Sequence, residues 1–214
     1  MDFQTEVAKA LLKIGAVGFN TKAPVTFKSG IKSPVYVDNR RFPFWPEEWK
    51  KIIEGFKHLV DHDKINFDVI AGVEAAGIPH SAALGFYLQK PSVFVRKEAK
   101  DHGLKKRVEG GDITGKKVIL VEDLVSTGGS SLSVIEAMRS EGGVVEDCLI
   151  IVTYGFAESA QAFKDASVKL HALTSFPVIL EEAVVGGKIN EEDKNLVEDW
   201  FLSPHEWGKK HGYE

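Results

Sequence analysis

The sequence has 214 residues, of which 43% are hydrophobic, and a formal net charge of −4. This length and apolar content suffice for one domain with a full core, and the charge argues against a general nucleic-acid-binding surface. The single cysteine, Cys148, excludes an internal disulfide and a cysteine-based metal site, and we expect it on a buried strand. Because no signal peptide or apolar run of about 18 residues is present, we expect a soluble, cytoplasmic protein that does not enter a membrane.

Two amphipathic helices are predicted in the first third of the chain. Apolar residues at helical spacing predict the first over residues 3–14. The second begins near Pro46, a residue that suits a first helical turn, and keeps one apolar face to about Val60.

Between these helices, residues 26–38 read TFKSGIKSPVYVD. Extended residues interrupted by Ser29-Gly30 and Ser33-Pro34 predict a hairpin that lies over the edge of a sheet without joining it. Composition alone favours a surface hairpin with no binding role.

From Phe67 onward, predicted strands and helices alternate. We expect strands at 68–72, 92–96, 118–121 and 144–152, then an edge strand at 168–174 and a closing helix at 191–202. This rhythm predicts an α/β fold with a central parallel sheet and helices on both faces. Ligands of such sheets bind at the carboxyl ends of the strands, where Gly72, Arg96 and Glu122 fall.

The first of these strands continues into VIAGVEAAGIP at residues 69–79. The strand ends in glycine, and a helix is expected to start near Gly77. The small residues Ala75 and Ala76 leave backbone N–H groups open to an anion, so this turn is a candidate phosphate loop. A plain strand-to-helix connection is the alternative.

The most charged stretch is RKEAKDHGLKKR at residues 96–107, with six basic residues and two acidic ones. A solvated charge run is the usual explanation of such a segment. Here the positive excess lies between two buried strands of an acidic chain, and glycines with few apolar residues predict a long loop from Lys97 to about Thr114. We expect this loop to close over a polyanion.

The chain is organised around VILVEDLVSTGGSS at residues 118–131. Its four apolar residues predict a strand buried on both faces that ends at the acidic pair Glu122 and Asp123. Glycines and hydroxyl residues from Ser126 to Ser130 then open a helix whose first N–H groups can bind a phosphate. Carboxylates instead suit ribose hydroxyls or a hydrated magnesium ion. One loop could therefore hold a sugar phosphate by both ends.

This stretch resembles the phosphoribosyl-pyrophosphate motif of the type I phosphoribosyltransferases. The resemblance implies their fold in a single domain, with a small N-terminal hood over about residues 1–45 and a core over about 46–214. It also implies that Ala75 and Ala76 face the pyrophosphate of the donor. The other donor-binding residues predicted from the motif are Glu122, Asp123, Leu124, Val125, Ser126, Thr127, Gly128, Gly129 and Ser130.

Two further segments resemble orotate phosphoribosyltransferases. Residues 26–38 are similar to their base-binding hood, which implies that Lys28 contacts the donor and that Tyr36 and Val37 flank the base. Residues 96–103 resemble their catalytic loop, which implies a homodimer in which the loop reaches the neighbouring subunit's site. This second resemblance assigns pyrophosphate contacts to Arg96, Lys97, Lys100 and His102.

Together the resemblances imply transfer of the phosphoribosyl group from phosphoribosyl pyrophosphate to orotate, which gives orotidine 5′-monophosphate and pyrophosphate in UMP biosynthesis. They imply Mg²⁺ held mainly by the donor's own oxygens, with no dedicated metal ligands in the chain. Glu122 and Asp123 would serve the ribose, and Lys100 or His102 the departing pyrophosphate.

Two alternatives to this function remain open. A transferase for a purine or for uracil would keep the donor motif and change the hood. A non-catalytic regulator that senses the donor would share the motif but would usually carry a nucleic-acid-binding module. Thr153-Tyr154-Gly155 stands where several bacterial members have an arginine that helps hold orotate, so the contact to the orotate carboxylate stays unassigned.

Overall fold

The computed structural model describes residues 3–27, 29–98 and 106–213. Its helices are α1 (Phe3–Lys13), α2 (Pro46–His62), α3 (Gly77–Leu88), α4 (Gly129–Ser140), α5 (Ala157–Asp165), α6 (Phe176–Val185), α7 (Glu191–Leu202) and α8 (Pro204–Lys210). Its strands are β1 (Val17–Phe19), β2 (Val25–Thr26), β3 (Lys32–Ser33), β4 (Val35–Val37), β5 (Val69–Val73), β6 (Ser92–Val95), β7 (Val108–Glu109), β8 (Lys117–Val125), β9 (Val144–Thr153) and β10 (Lys169–Ser175). A 3₁₀ helix, Asn39–Phe44, lies between β4 and α2.

Six strands form one sheet in the order β10-β9-β8-β5-β6-β7. Neighbouring strands are parallel except for β7, which runs antiparallel to β6. The predicted parallel sheet is confirmed, with β10 at one edge and one antiparallel strand added at the other. The chain leaves β5 toward β6 and leaves β8 toward β9, in opposite directions. Such a divergence opens a crevice at the carboxyl ends of the two central strands.

Helices cover both faces of this sheet. Ile119 and Val121 point into one apolar cluster, with residues of α1, α2 and α3, whereas Val118 and Leu120 point into a second cluster with residues of α4 and α5. The alternation follows from the two-residue period of a strand and confirms that β8 is buried on both faces. Cys148 is fully buried on β9, as predicted. None of the helices in the described ranges is long and apolar enough to cross a membrane.

The hood residues form two small antiparallel sheets separate from the large one. β2 pairs with β3, and β4 pairs with β1, which places Tyr36 opposite Gly18. The hairpin predicted over residues 26–38 is confirmed for its first part, where β2 pairs with β3, and is wrong for β4, which pairs with the earlier strand β1. Pro34 separates β3 from β4 and has no N–H to donate, so the ladder between β2 and β3 does not continue.

Two C-terminal helices hold the hood against the core. Trp200 on α7 and Trp207 on α8 are fully buried and pack in the core. The Trp200 indole N–H donates to the carbonyl of Lys32 at 2.8 Å, and the Tyr213 hydroxyl donates to the carbonyl of Thr21 at 2.9 Å. Because both acceptors lie in the hood, the end of the chain fixes the position of the hood over β8.

Candidate functional site

Two adjoining cavities open beside the carboxyl end of β8. The inner cavity, of about 350 Å³, is lined by Tyr36, Val37, Lys97, Glu122, Asp123, Leu124, Val125, Ser126, Thr127, Gly128, Gly129, Ser130 and Ser131. The hood cavity, of about 500 Å³, is lined by Val25, Thr26, Phe27, Ser29, Tyr36, Val37, Leu124, Ser126, Thr127 and Tyr154. Their shared residues make the two cavities parts of one cleft. The structure thus brings the predicted residues 122–130 together with Tyr36 and Val37.

The loop between β8 and α4 is shaped to bind an anion. Gly128 has a φ of +87°, and a Cβ there would lie 2.9 Å from Cε2 of Phe163, so only glycine fits this position without strain. A Cβ at Gly129, in contrast, would meet no atom within 4 Å. The first N–H groups of a helix have no partner within the helix and carry its positive dipole end. Ser126, Thr127 and Ser130 add hydroxyl donors beside them.

The acidic pair lies within β8 rather than after it. β8 extends to Val125, so the prediction that the strand ends at Glu122 is wrong. Pairing with β9 explains the extension, because Leu124 and Val125 remain in register with Val152 and Thr153. The pair is therefore held by sheet hydrogen bonds on a rigid element.

The two carboxylates have different surroundings. Glu122 is only 4% exposed, and its Oε1 accepts a hydrogen bond from the Asp123 N–H at 3.1 Å. Burial raises the pKa of Glu122 well above its usual value, and the neighbouring Asp123 raises it further, while Lys97 acts in the opposite direction. Asp123 is half-buried, and its charge acts on His80 and Tyr154. Glu122 therefore favours the neutral form, which can donate a hydrogen bond, and Asp123 provides the more accessible carboxyl group of the pair.

The 3₁₀ helix adds residues that sequence reasoning missed. Asn39 is fully buried, and its Nδ2 donates to the main-chain carbonyl of Asp123 at 3.0 Å. Arg40 donates from Nη2 to the Tyr36 hydroxyl at 3.1 Å and from Nε to Asp38 at 2.6 Å. The only signal in the sequence is the run of three polar residues directly after the extended segment, and that run also fits an ordinary turn.

The turn between β5 and α3 lies at the same edge of the sheet. A Cβ at Gly72 would lie 2.2 Å from Oγ of Ser81, and one at Gly77 would lie 2.4 Å from the carbonyl oxygen of Val121. Both glycines are thus required for α3 to pack closely on β5 and β8. Ala75 is exposed and Ala76 partly exposed between them, although neither lines the two cavities described above.

The predicted basic residues divide into three groups. Lys97 lines the inner cavity, and its N–H donates to Oε2 of Glu74 at 3.4 Å. Arg96 does not line the cavity: its Nη1 lies 3.7 Å from Oε1 of Glu109, and its N–H donates to the carbonyl of Arg107 at 2.9 Å. The third group, Lys28, Lys100 and His102, lies outside the described residues.

Three aromatic residues, Phe27, Tyr36 and Tyr154, line the hood cavity. Tyr36 is 41% exposed at its mouth, and Tyr154 is buried in its wall. Tyr154 packs on Phe27, with ring centroids 6.1 Å apart, and on Trp200 and Phe156 at 5.7 Å each. Burial raises the pKa of Tyr154 well above its usual value, so its hydroxyl stays protonated. In the described part of its lining the cavity has no arginine or lysine, and it suits a flat, largely apolar ring.

Comparison with known proteins identifies relatives of this chain. A family model described as "Phosphoribosyl transferase domain" matches residues 44–178. The curated orotate phosphoribosyltransferase of Coxiella burnetii is 41% identical over 207 residues, which cover 97% of this chain and 99% of the relative.

Solved structures show the same likeness. The orotate phosphoribosyltransferase of Aeropyrum pernix superimposes with a TM-score of 0.73 at 30% identity, covering 85% of this chain and 99% of that chain. The UMP synthase of Leishmania donovani superimposes with a TM-score of 0.82 at 27% identity. It matches 92% of this chain, which spans only 42% of that longer protein.

Proposed function

This chain belongs to the phosphoribosyltransferase family, and we propose that it transfers the phosphoribosyl group from phosphoribosyl pyrophosphate to orotate. The products are orotidine 5′-monophosphate and pyrophosphate, as in pyrimidine biosynthesis. The observation that carries the proposal is the full-length similarity to orotate phosphoribosyltransferases, which extends through the hood as well as the core. The family model begins at residue 44, close to the proposed boundary between the hood (about 1–45) and the core (about 46–214) of a single domain.

We assign the inner cavity to the donor. The loop at 126–130 and the start of α4 bind the 5′-phosphate, while Glu122 and Asp123 face the ribose hydroxyls. Leu124 and Val125 continue the strand into this loop. The proposed pyrophosphate contacts are Ala75, Ala76, Arg96, Lys97, Lys28, Lys100 and His102. Of these, Lys97 already lies at the cavity.

We assign the hood cavity to the base. Tyr36 and Val37 line both cavities, so a ring between them would lie next to the ribose. Tyr154, with a buried, protonated hydroxyl, lies in the segment where several bacterial orotate phosphoribosyltransferases have an arginine. The carboxylate of orotate must therefore find other hydrogen-bond donors. Hydroxyl groups of Ser29 and Thr26 are among the donors in the described lining.

The proposed reaction depends on electrostatic positioning. As the bond from C1 to pyrophosphate lengthens, the ribose gains positive charge and the leaving group gains negative charge. N1 of orotate then forms the new bond to C1 and loses its proton to water. Asp123 faces the positive ribose, and Lys97 and the other loop cations face the pyrophosphate. Lys100 or His102 would donate any proton that the leaving group takes.

We propose that Mg²⁺ binds at this site together with the donor. No group of three or more His, Cys, Asp or Glu side chains in the described ranges could hold a metal ion. We therefore propose that the donor's own oxygens hold Mg²⁺ and that Glu122 and Asp123 bind its water molecules or the ribose hydroxyls. When bound, Mg²⁺ neutralises charge on the pyrophosphate.

We also propose a homodimer with shared active sites. Phe44 and Phe86 are 82% and 81% exposed, and Trp45 and Tyr87 beside them are also exposed. Phe86 and Tyr87 line a groove of about 220 Å³ between α2 and α3, and the groove extends to Pro46, the residue after Trp45. Large apolar groups clustered in water mark interaction surfaces, and a second copy is the partner that the family resemblance supplies. Phe86→Asp should convert dimers to monomers in sedimentation velocity; an unchanged dimer would place the interface elsewhere.

An assay with a panel of bases tests the proposed function. Loss of orotate absorbance should require enzyme, phosphoribosyl pyrophosphate and Mg²⁺ together. Uracil and purines should give no product under the same conditions. Turnover of one of those bases without turnover of orotate would favour the alternative transferases, and donor binding without turnover of any base would favour a regulator.

A further inference from the structure

A fully buried histidine lies directly behind the acidic pair. His80 is on α3, one turn after Gly77. A Cβ at Gly77 would lie 2.4 Å from the carbonyl oxygen of Val121 and 3.5 Å from Cα of Glu122, so this face of α3 touches β8 at the pair. Because residues three apart share a helix face, His80 also faces the end of β8.

The imidazole of His80 is held in one orientation. The Trp49 indole N–H donates to Nδ1 at 2.9 Å, and Phe42 packs edge-on with ring centroids 6.3 Å apart. A ring nitrogen that accepts a hydrogen bond carries no proton, so the neutral ring has its proton on Nε2. Burial lowers the pKa of His80 to about 4, which keeps the ring neutral near physiological pH.

His80 also lies beside the 3₁₀ helix that carries Asn39, because the ring of Phe42, three residues after Asn39, packs against its imidazole. The charge of Asp123 and the carbonyl of Asn39 raise the pKa of His80 against the effect of burial, which agrees with this placement. Nevertheless, Nε2 is buried and has no hydrogen-bond partner of normal geometry among the described residues. Asn39 is also fully buried, with Nδ2 bonded to the Asp123 carbonyl and Oδ1 likewise unpaired.

Simple packing does not account for this pair. Buried polar atoms without partners destabilise a fold, and an apolar residue of similar size fills the same volume without that penalty. Two neutral polar side chains, one on α3 and one on the 3₁₀ helix, instead lie next to the acidic pair of β8. Asn39 makes a directional contact to the main chain of Asp123, and the Trp49 N–H holds the ring of His80.

We propose that His80 and Asn39 are positioning residues that hold the Asp123 carboxylate in the direction of the donor's ribose hydroxyls. Trp49 fixes the tautomer of His80, His80 restrains Asn39, and Asn39 restrains the Asp123 peptide. None of the three touches the donor in this scheme. The role rests on the proposed function of Asp123 and adds the means by which its geometry is kept.

Substitutions at His80 test this role. His80→Phe keeps an aromatic ring and removes both nitrogens, so turnover should fall about 10-fold through misplacement of Asp123. His80→Gln keeps one acceptor and one donor and should recover most of that loss. His171→Gln is the matched control, because His171 is a second buried histidine among the described residues and lies in the amino-terminal half of β10. It should lower stability without lowering turnover.

A double-mutant cycle separates positioning from a general structural effect. If His80 acts through Asp123, His80→Phe should have no further effect in an Asp123→Asn background, whereas a structural effect would be the same in both backgrounds. If His80→Phe does not fold, Trp49→Phe provides a milder variant. Its turnover should fall about 3-fold in the wild-type background and should not fall further in the Asp123→Asn background. Equal losses in both backgrounds, or turnover of His80→Phe within about 2-fold of wild type, would overturn the proposal.

Donor affinity keeps this test independent of the identity of the base. Calorimetry with phosphoribosyl pyrophosphate and Mg²⁺ should show weaker binding by His80→Phe than by wild type, and no such difference in the Asp123→Asn background. If wild type binds the donor but does not convert orotate, the proposed base is wrong while the positioning role is still measured. Equal donor affinity of His80→Phe and wild type, together with unchanged turnover, would remove the role.

Discussion

The two ends of the large sheet carry carboxylates in opposite circumstances. At the amino-terminal half of β9 and β10, His171 bridges two of them, with Nδ1 at 2.6 Å from Asp63 and Nε2 at 2.7 Å from Asp147. Lys169 lies 3.2 Å from Asp63, and His62 lies 2.9 Å from it. Each carboxylate in this cluster lies within hydrogen-bond distance of a basic side chain, and the cluster joins the end of α2 to two strands.

At the carboxyl end of β8, two carboxylates stand side by side. Glu122 is buried next to Asp123, and among the described residues neither forms an ion pair. Folding gains little from such a pair, since burial and mutual repulsion both oppose its ionisation. The carboxyl groups at one end are held by basic side chains and stabilise the fold, whereas Glu122 and Asp123 at the other end have no ion-pair partner among the described residues and are available to a ligand. Changes at the two ends should therefore affect different measurements.

Gly129→Val should have the largest effect on ligand binding. A side chain at Gly129 points into open space at the inner cavity, so the fold should tolerate valine while the phosphate loses its close approach to the backbone. Calorimetry should detect no donor binding, a loss of at least about 100-fold in affinity. Thermal unfolding is the control and should be nearly unchanged. Unaltered donor affinity would mean that the phosphate binds elsewhere.

Asp123→Asn should lower turnover by at least about 100-fold, because an amide fits the site but cannot offset positive charge on the ribose. Stability should be equal or higher. Burial and, after it, the charge of Asp123 raise the pKa of Glu122 above its usual value of 4.5. Ionisation of Glu122 therefore destabilises the folded state as the pH rises above 4.5. Asp123→Asn removes the contribution of the Asp123 charge to this destabilisation. Near-native turnover of the purified variant would exclude this role for Asp123.

The order of the main elements could be predicted from the sequence because their signals are local. Helical spacing marks α1 and α2, four β-branched or apolar residues mark the centre of β8, and α7 spans the predicted residues. The phosphate loop follows from its glycines and hydroxyl residues at a strand-to-helix junction, which needs no knowledge of distant contacts.

What could not be predicted depends on long-range pairing. β4 pairs with β1 rather than with the neighbouring arm, and nothing within residues 26–38 indicates that choice. β8 extends through the acidic pair because β9 pairs with it there. The contact from Asn39 to Asp123 joins residues 84 positions apart, and the burial of His80 arises from helix packing. Such features have no local signal in one sequence.

Subunit mixing tests whether a second copy of the chain contributes Lys100 to the site at the carboxyl end of β8. Lys100→Ala and Asp123→Asn homodimers should each be nearly inactive. If Lys100, which lies outside the described residues, acts on the opposite subunit, a mixed dimer has one site with both residues intact. Random exchange of equal amounts makes about half the dimers mixed, so activity should recover to about a quarter of wild type. No recovery, after mass spectrometry has confirmed exchange, would mean that Lys100 acts within its own chain or not at all.

Asp63→Asn should have the smallest effect on catalysis and a clear effect on stability. It leaves His171 with one carboxylate partner, so the free energy of unfolding near neutral pH should fall by about 1–3 kcal/mol, with turnover unchanged. Asp61→Asn is a matched control, because Asp61 is an exposed residue on the same helix whose ion pair with Lys57 should contribute little.

At acidic pH, the difference in the free energy of unfolding between wild type and Asp63→Asn should disappear. Hydrogen bonds from His62 and Lys169 lower the pKa of Asp63 below its usual 3.8, so the folded state holds the ionised form more strongly than the unfolded chain does. That stabilisation is complete above 3.8 and is lost as the pH falls from there toward the lower folded-state pKa. Denaturant unfolding at several pH values should therefore show the two proteins converging in acid. A constant difference, or a loss of turnover equal to that of Asp123→Asn, would contradict the assignment of this end of the sheet to stability alone.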